Sequence, residues 1–423
     1  MRRGKGMRWA FALSLAASAA AMAAEDPEHG LPAVPPDVGA DERERLERGR
    51  YLTRMGNCAG CHTEPGGEPF AGGRRLDTEF GRFHTPNITP DEATGIGRWT
   101  DEEFWDALHH GERPDGAALY PACPYPNFTL AERDDVDALH AYLQSVPAVR
   151  NETPAHELDF PYGLRALATQ WQWLYFEPGQ VRAPLQAPDP QASERWQRGR
   201  YLVEGLAHCN ACHRERGALG AMNEDADAPG AMLRDGYAPA LTSPDEAGLQ
   251  AHGIESGAAF LRSGKTEHAV MMGPMADVVF DSLRHLSEAD ARAMAAYLQS
   301  VPEREVAPST RSVGLSESAL EGALEDGAQI YEEHCVACHG EDGRGSNGVA
   351  ALTGNPTVLQ DNPANIVQVI RHGGFPASTD GNPQPHGMPP FTQFDLGELA
   401  AVATYIRRSW GNDAAPVSPI DLR

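Results

Sequence analysis

The string Cys-x-x-Cys-His occurs three times in this chain, as Cys58-Ala59-Gly60-Cys61-His62, Cys209-Asn210-Ala211-Cys212-His213 and Cys335-Val336-Ala337-Cys338-His339. This pattern is the attachment signature of c-type haem: two thiols bond the porphyrin vinyl groups, and the adjoining histidine ligates the iron from one face. The short spacing lets both sulfurs reach one ring edge while the imidazole turns beneath it. A zinc site would need a second Cys/His pair at each position, and thioredoxin-like pairs lack the obligatory histidine. The motifs therefore predict three covalently bound c-type haems, each wrapped by its own stretch of chain.

Flanking residues repeat with the motifs. Arg48-Gly49-Arg50-Tyr51-Leu52 precedes the first, Arg198-Gly199-Arg200-Tyr201-Leu202 the second, and the more diverged Gly327-Ala328-Gln329-Ile330-Tyr331 the third. Tyr142-Leu143-Gln144-Ser145-Val146-Pro147 closes the first copy and recurs letter for letter from Tyr297 to Pro302, and Tyr405-Ile406 holds that place in the third. Val136, Leu139, Leu143 and Val146 form one apolar stripe at helical spacing, as do Leu399, Val402 and Ile406. Proline ends the first two of these helices. The periodicity predicts an all-α fold in three units, residues 40–150, 190–305 and 320–412. Gly49, Gly199 and Gly327 are expected where a first helix passes close to Tyr142, Tyr297 and Tyr405 of a last one. Residues 151–189 belong to no repeat; the aromatics Trp171, Trp173, Tyr175 and Phe176 mark them as a bridge that packs across units or against a partner. The tail after Asp413 reads as an extended end. Gly343-x-Gly345-x-x-Gly348 matches a dinucleotide fingerprint but follows an attachment motif instead of a strand, and reads as a haem-edge loop.

Residues 1–24 have the form of a secretory signal: Arg2, Arg3, Lys5 and Arg8, then an apolar run from Trp9 to Ala21, then Ala21-Met22-Ala23-Ala24. The formal charge of the chain is −25, and loss of those four basic residues takes it to about −29. Nucleic acid is excluded as a partner by this charge. With Lys265 the one lysine left after processing, a lysine-ringed docking face cannot be built.

Each iron needs a ligand on its second face. Met388, in His386-Gly387-Met388-Pro389-Pro390, is the one methionine after the third motif and stands 17 residues before Tyr405. In the second unit Met271, Met272 and Met275 compete; Met275, 22 residues before Tyr297 and behind the rigid Gly273-Pro274, is preferred. No methionine follows the first motif before the second begins, and Cys123 occupies the corresponding loop, 19 residues before Tyr142. Cys123 is also the seventh cysteine, left over after three pairs. The predicted ligand sets are thus His62/Cys123, His213/Met275 and His339/Met388. The alternatives for the first are a free cysteine beside a five-coordinate iron, or His84, His109 or His140. His110 is weaker, because His372 stands in the matching place of a unit that already has Met388.

These residues, with Pro86-Asn87-Ile88-Thr89-Pro90-Asp91, Gly95-Ile96-Gly97-Arg98-Trp99, Tyr120-Pro121-Ala122-Cys123-Pro124-Tyr125-Pro126 and Gly273-Pro274-Met275-Ala276-Asp277-Val278-Val279, resemble the triple-haem cytochrome c subunit of membrane-associated bacterial dehydrogenases acting on alcohols, gluconate or fructose. The resemblance implies three tandem class I cytochrome c domains in the periplasm, peripheral to the inner membrane. It implies electrons taken from a flavin, quinoprotein or molybdenum dehydrogenase subunit and passed to quinone or a terminal oxidase. Cys123 departs from the family's methionine, and a His/Cys haem also resembles the centre of haem enzymes that oxidise thiosulfate. A free electron shuttle is the third reading. If the motif reading holds, the mature protein carries three haems by mass and a single alkylatable cysteine after denaturation and reduction; a second reactive thiol would contradict it.

Overall fold

The computed structural model describes residues 30–422 apart from 226, 235, 248, 252, 306–313 and 346–347. The signal-like segment lies outside the described residues. In each unit a leading helix crosses a closing helix: Ala40–Met55 with Arg133–Ser145, Glu194–Arg200 with Glu288–Ser300, and Glu317–His334 with Leu396–Arg408. The apolar stripes make these crossings, since Val136, Leu139 and Leu143, like Leu399, Val402 and Ile406, are all buried. Side-chain caps start several helices, Ser287 accepting from Asp290 N and Ser316 from Ala319 N.

Glycine makes the close crossing feasible. A Cβ at Gly49 would collide with the Ala138 carbonyl oxygen and lie 2.8 Å from Tyr142 Cβ; the same clash arises between Gly199 and Ala293, and between Gly327 and Ala401. The glycine–tyrosine contact expected from the repeats is present in all three units.

Two small sheets interrupt the helical plan. Arg75–Thr78 and Gly81–His84 form an antiparallel hairpin joined by Glu157–Leu158, with Gly81 opposite Leu158, and Ala231–Leu233 pairs with Gly236–Ala238. They are loop hairpins on the helical scaffold.

The first two domains share one apolar core, while the third has its own around Tyr331, Ile366, Leu399 and Val402. Where the two domains meet lies a reciprocal polar exchange. Asp135 receives Arg48 of its own domain and, at 2.6 Å, the Tyr201 hydroxyl of the other. Asp290 likewise receives Arg198 at 2.8 and 2.9 Å and the Tyr51 hydroxyl at 2.7 Å. The Arg-Gly-Arg-Tyr repeat is thus one motif used twice about a pseudo-twofold axis. In the third domain Asp326 and Gln329 hold the Arg and Tyr places, and that domain stands outside the exchange.

The third domain docks on the second mainly through backbone groups: Asn365 bonds Tyr237 N and O at 2.8 Å each, Gln360 bonds Glu246 O, and Thr379 bonds Ser263 O. The bridge packs across the first two domains, where helix Arg165–Tyr175 sends Trp171 Nε1 to Leu219 O and Gln172 Nε2 to Gly111 O. Trp173, on its far side, is 84% exposed. The tail is extended but not loose, because Val417 is fully buried and its N–H and C=O both meet the Thr404 hydroxyl. Among the described residues no helix is long and apolar enough to cross a membrane.

Burial alone would raise the Asp290 carboxyl, but the bonds from Arg198 and Tyr51 outweigh it and hold it below the usual carboxylate range. Its contribution is complete above the unfolded-chain value and is lost as pH falls through the depressed folded value. Tyr201→Phe should destabilise the protein by about 1.5–3 kcal/mol, the worth of a hydrogen bond to a buried carboxylate. Gln329→Ala, at the matching place in the third domain, should cost close to nothing. Denaturant unfolding at neutral pH checks both, and the penalty for Tyr51→Phe should shrink in acid.

Candidate haem-binding sites

A residue in the left-handed region stands immediately before the attachment turn of each of the first two domains, Asn57 at φ 49° and His208 at φ 40°. The chain then turns into Cys58–His62 and Cys209–Ala211; in the third domain Val336–His339 follows the leading helix after Cys335. All seven cysteines are unpaired. Burial pushes the Cys58 and Cys209 thiols up to about 12 and Cys335 up to about 11.

The three motif histidines share one arrangement. His62 Nδ1 meets Pro86 O at 2.8 Å, His213 Nδ1 meets Pro239 O at 2.8 Å, and His339 Nδ1 meets Ala350 O at 3.3 Å. Burial lowers all three below the ordinary imidazole value despite these bonds, so each ring is neutral. A neutral ring whose Nδ1 proton goes to a carbonyl has Nε2 as its free lone pair, which is how a protein orients imidazole toward iron. Thiols two residues apart beside such a ring fit a covalently held haem.

Among the candidate second ligands, Met388 lies in a loop bridged to Gly374 in both directions, at 2.8 and 3.0 Å, and packs on the third core. A Cβ at Gly373 would collide with the Met388 carbonyl, so glycine is required there, also at φ 65°. Met275 sits in the first turn of helix Pro274–Asp281 and packs on the shared core. Met272 turns elsewhere, its methyl lying against Gly374 of the third domain. Cys123 is half-buried, in the loop between Pro121 and Pro124, within electrostatic reach of both Cys58 and Cys61. Of the competing histidines, His140 uses Nδ1 on Asp101 at 2.6 Å and Nε2 on Gln144, His84 Nε2 meets Glu157 and His110 meets Asp106, while His109 stacks on Trp105 with no hydrogen bond at Nδ1.

The first two sites adjoin. Cys61 and Cys212 sense each other electrostatically, and Cys58–His62 packs on the Met275 helix. His208 Nε2 approaches Gly56 O at 3.4 Å and its ring meets Phe128 edge-on. Sequence reading did not single out His208, Glu204 or the Tyr51/Tyr201 exchange. A signal existed for the first two: five residues separate Leu52 from Cys58, whereas six separate Leu202 from Cys209. The structure absorbs the extra residue in a π-helical turn, Tyr201–Leu206.

Residues 46–147 and 197–302 match the family model described as cytochrome c, and residues 322–406 match that of cytochrome c oxidase, cbb3-type, subunit III. Among curated relatives, the cytochrome c subunit of alcohol dehydrogenase (quinone) from Gluconobacter oxydans is 34% identical over 89% of this chain and 81% of its own. The fructose dehydrogenase cytochrome subunit of Gluconobacter japonicus is 34% identical over 90% and 83%. A dihaem c-type cytochrome of Cereibacter sphaeroides is 36% identical over 63% of this chain and 89% of its own. With its helical cytochrome c domains in tandem and this likeness along most of its length, the chain belongs to the family of cytochrome c subunits of dehydrogenase complexes.

Proposed function

We propose that this chain carries three covalent haems in the periplasm and passes electrons from a partner dehydrogenase subunit to quinone or the respiratory chain. The observation that carries the reading is the threefold recurrence of a neutral, carbonyl-tied histidine beside an unpaired thiol pair. Cys58 and Cys61, Cys209 and Cys212, and Cys335 and Cys338 would hold the porphyrins; His62 with Cys123, His213 with Met275, and His339 with Met388 would hold the irons. The bound group supplies reversible one-electron storage, and the protein supplies ligands, burial and spacing. The relatives' names, cytochrome subunits of alcohol and fructose dehydrogenases, support a dehydrogenase subunit as the electron source; a flavin, quinoprotein or molybdenum subunit is the proposed class. Purification from the native host should bring such a subunit with the chain; a lone monomer would favour a free shuttle.

Cys123 sets the first site apart. An anionic sulfur stabilises ferric iron, whereas a thioether favours the ferrous form. Cys123→Met should raise one of three reduction potentials and leave the others nearly unchanged, with loss of a thiolate-type low-spin signal from the ferric electron paramagnetic resonance spectrum. Absence of that signal in the wild type would remove Cys123 from the ligand set. Cys123 also favours a second reading, oxidation of a sulfur compound at the first haem, and thiosulfate-dependent reduction of the isolated chain would decide for it.

A further inference from the structure

Glu204 takes no part in the ligand sets above, yet it is a carboxyl with no solvent exposure. It stands on the π-helical turn that absorbs the extra residue of the second domain. Leu185 N donates to Oε1 at 2.7 Å, Asn210 Nδ2 donates to Oε2 at 2.7 Å, and the Tyr297 hydroxyl makes a short bond to Oε1. Asn210 lies between Cys209 and Cys212, so the carboxyl is tied directly to the attachment turn. Titratable and charged groups face it from its surroundings: Arg200 on its own helix, Cys209 and Arg214 at the attachment turn, and Tyr297 on the closing helix. The segment at Leu185 presents an amide, and Asn127 of the first domain bonds the Glu204 carbonyl. Burial dominates and pushes the carboxyl up to about 7, against the Tyr297 and Leu185 bonds and the two arginines. In the first domain the matching Tyr142 hydroxyl donates to the Pro32 carbonyl, which has no proton to exchange.

We propose that Glu204 takes up a proton when the haem held by Cys209 and Cys212 is reduced and releases it on reoxidation, coupling proton to electron at the second centre alone. This rests on the haem assignment for the second domain. One electron from the upstream dehydrogenase turns ferric iron ferrous, and one solvent proton turns the Glu204 carboxylate into a carboxylic acid, leaving the local charge unchanged. The carboxylate favours the oxidised state because a positive charge nearby in a low-dielectric interior is weakly screened. Loss of that charge raises the carboxyl's proton affinity, and by linkage the potential falls as pH rises between the two values.

Spectroelectrochemical titration of the full-length holoprotein across the neutral range tests this. One of three potentials should fall with rising pH in the wild type, and in Glu204→Gln that slope should flatten. Three flat potentials in the wild type, or a slope that survives in Glu204→Gln, would overturn the proposal. The reduced-minus-oxidised infrared difference spectrum of the wild type needs no variant: a protonated-carboxyl C=O band should appear on reduction, and its absence would equally overturn the coupling. A mass short of one haem would defeat the haem assignment itself, whereas three haems with flat titrations would defeat the proton coupling alone.

Discussion

Asp135 and Asp290 hold the molecule's first two domains in their mutual orientation. Each is buried, and a buried carboxylate is costly unless its acceptor sites are filled by donors in good geometry. Here an arginine from the same domain and a tyrosine from the other fill them together. Neither domain alone can complete its own aspartate. The polar exchange therefore specifies one orientation in a way the surrounding apolar contacts, being non-directional, cannot. The closeness of Cys61 to Cys212 and the packing of Cys58–His62 on the Met275 helix follow from that orientation.

Much of this was legible in the sequence because the decisive signals are local. A Cys-x-x-Cys-His string, an apolar stripe and a glycine in the stretch leading to each motif can all be read within a few turns of chain. What stayed hidden depends on distant partners. The strands are only a few residues long, and Gly81 pairs with Leu158 across a whole domain, so no alternating pattern announces them. Tyr51 and Tyr201 were visible as repeats, but their exchange needed the closing helices of opposite domains. The tail after Asp413 reads as an extended end, yet Val417 on Thr404 and the Ala414 and Ala415 backbone on Arg407 anchor it. The place of Met272 against Gly374 of the third domain was likewise not legible.

The histidine side of the three candidate sites is nearly the same, with Nδ1 on a backbone carbonyl and the residue half-buried in each. Differences between the centres must then come from the opposite face and from fixed charges near the ring edge. The proposed ligands Cys123, Met275 and Met388 differ in the first respect, and Glu204 distinguishes the second domain in the other. A single extra residue before Cys209 places that carboxyl inside, where a regular helix would have carried a different side chain.

The third domain has its own core and meets the second mostly through main-chain groups of Tyr237, Glu246 and Ser263. Main-chain contacts place little demand on the identity of the side chains beneath them. At that seam the side chains of the second domain can therefore drift while Asn365, Gln360 and Thr379 of the third cannot, whereas the paired domains must change together: a mutation at either aspartate is felt on both sides of the axis, and a change at the docking seam is felt on one.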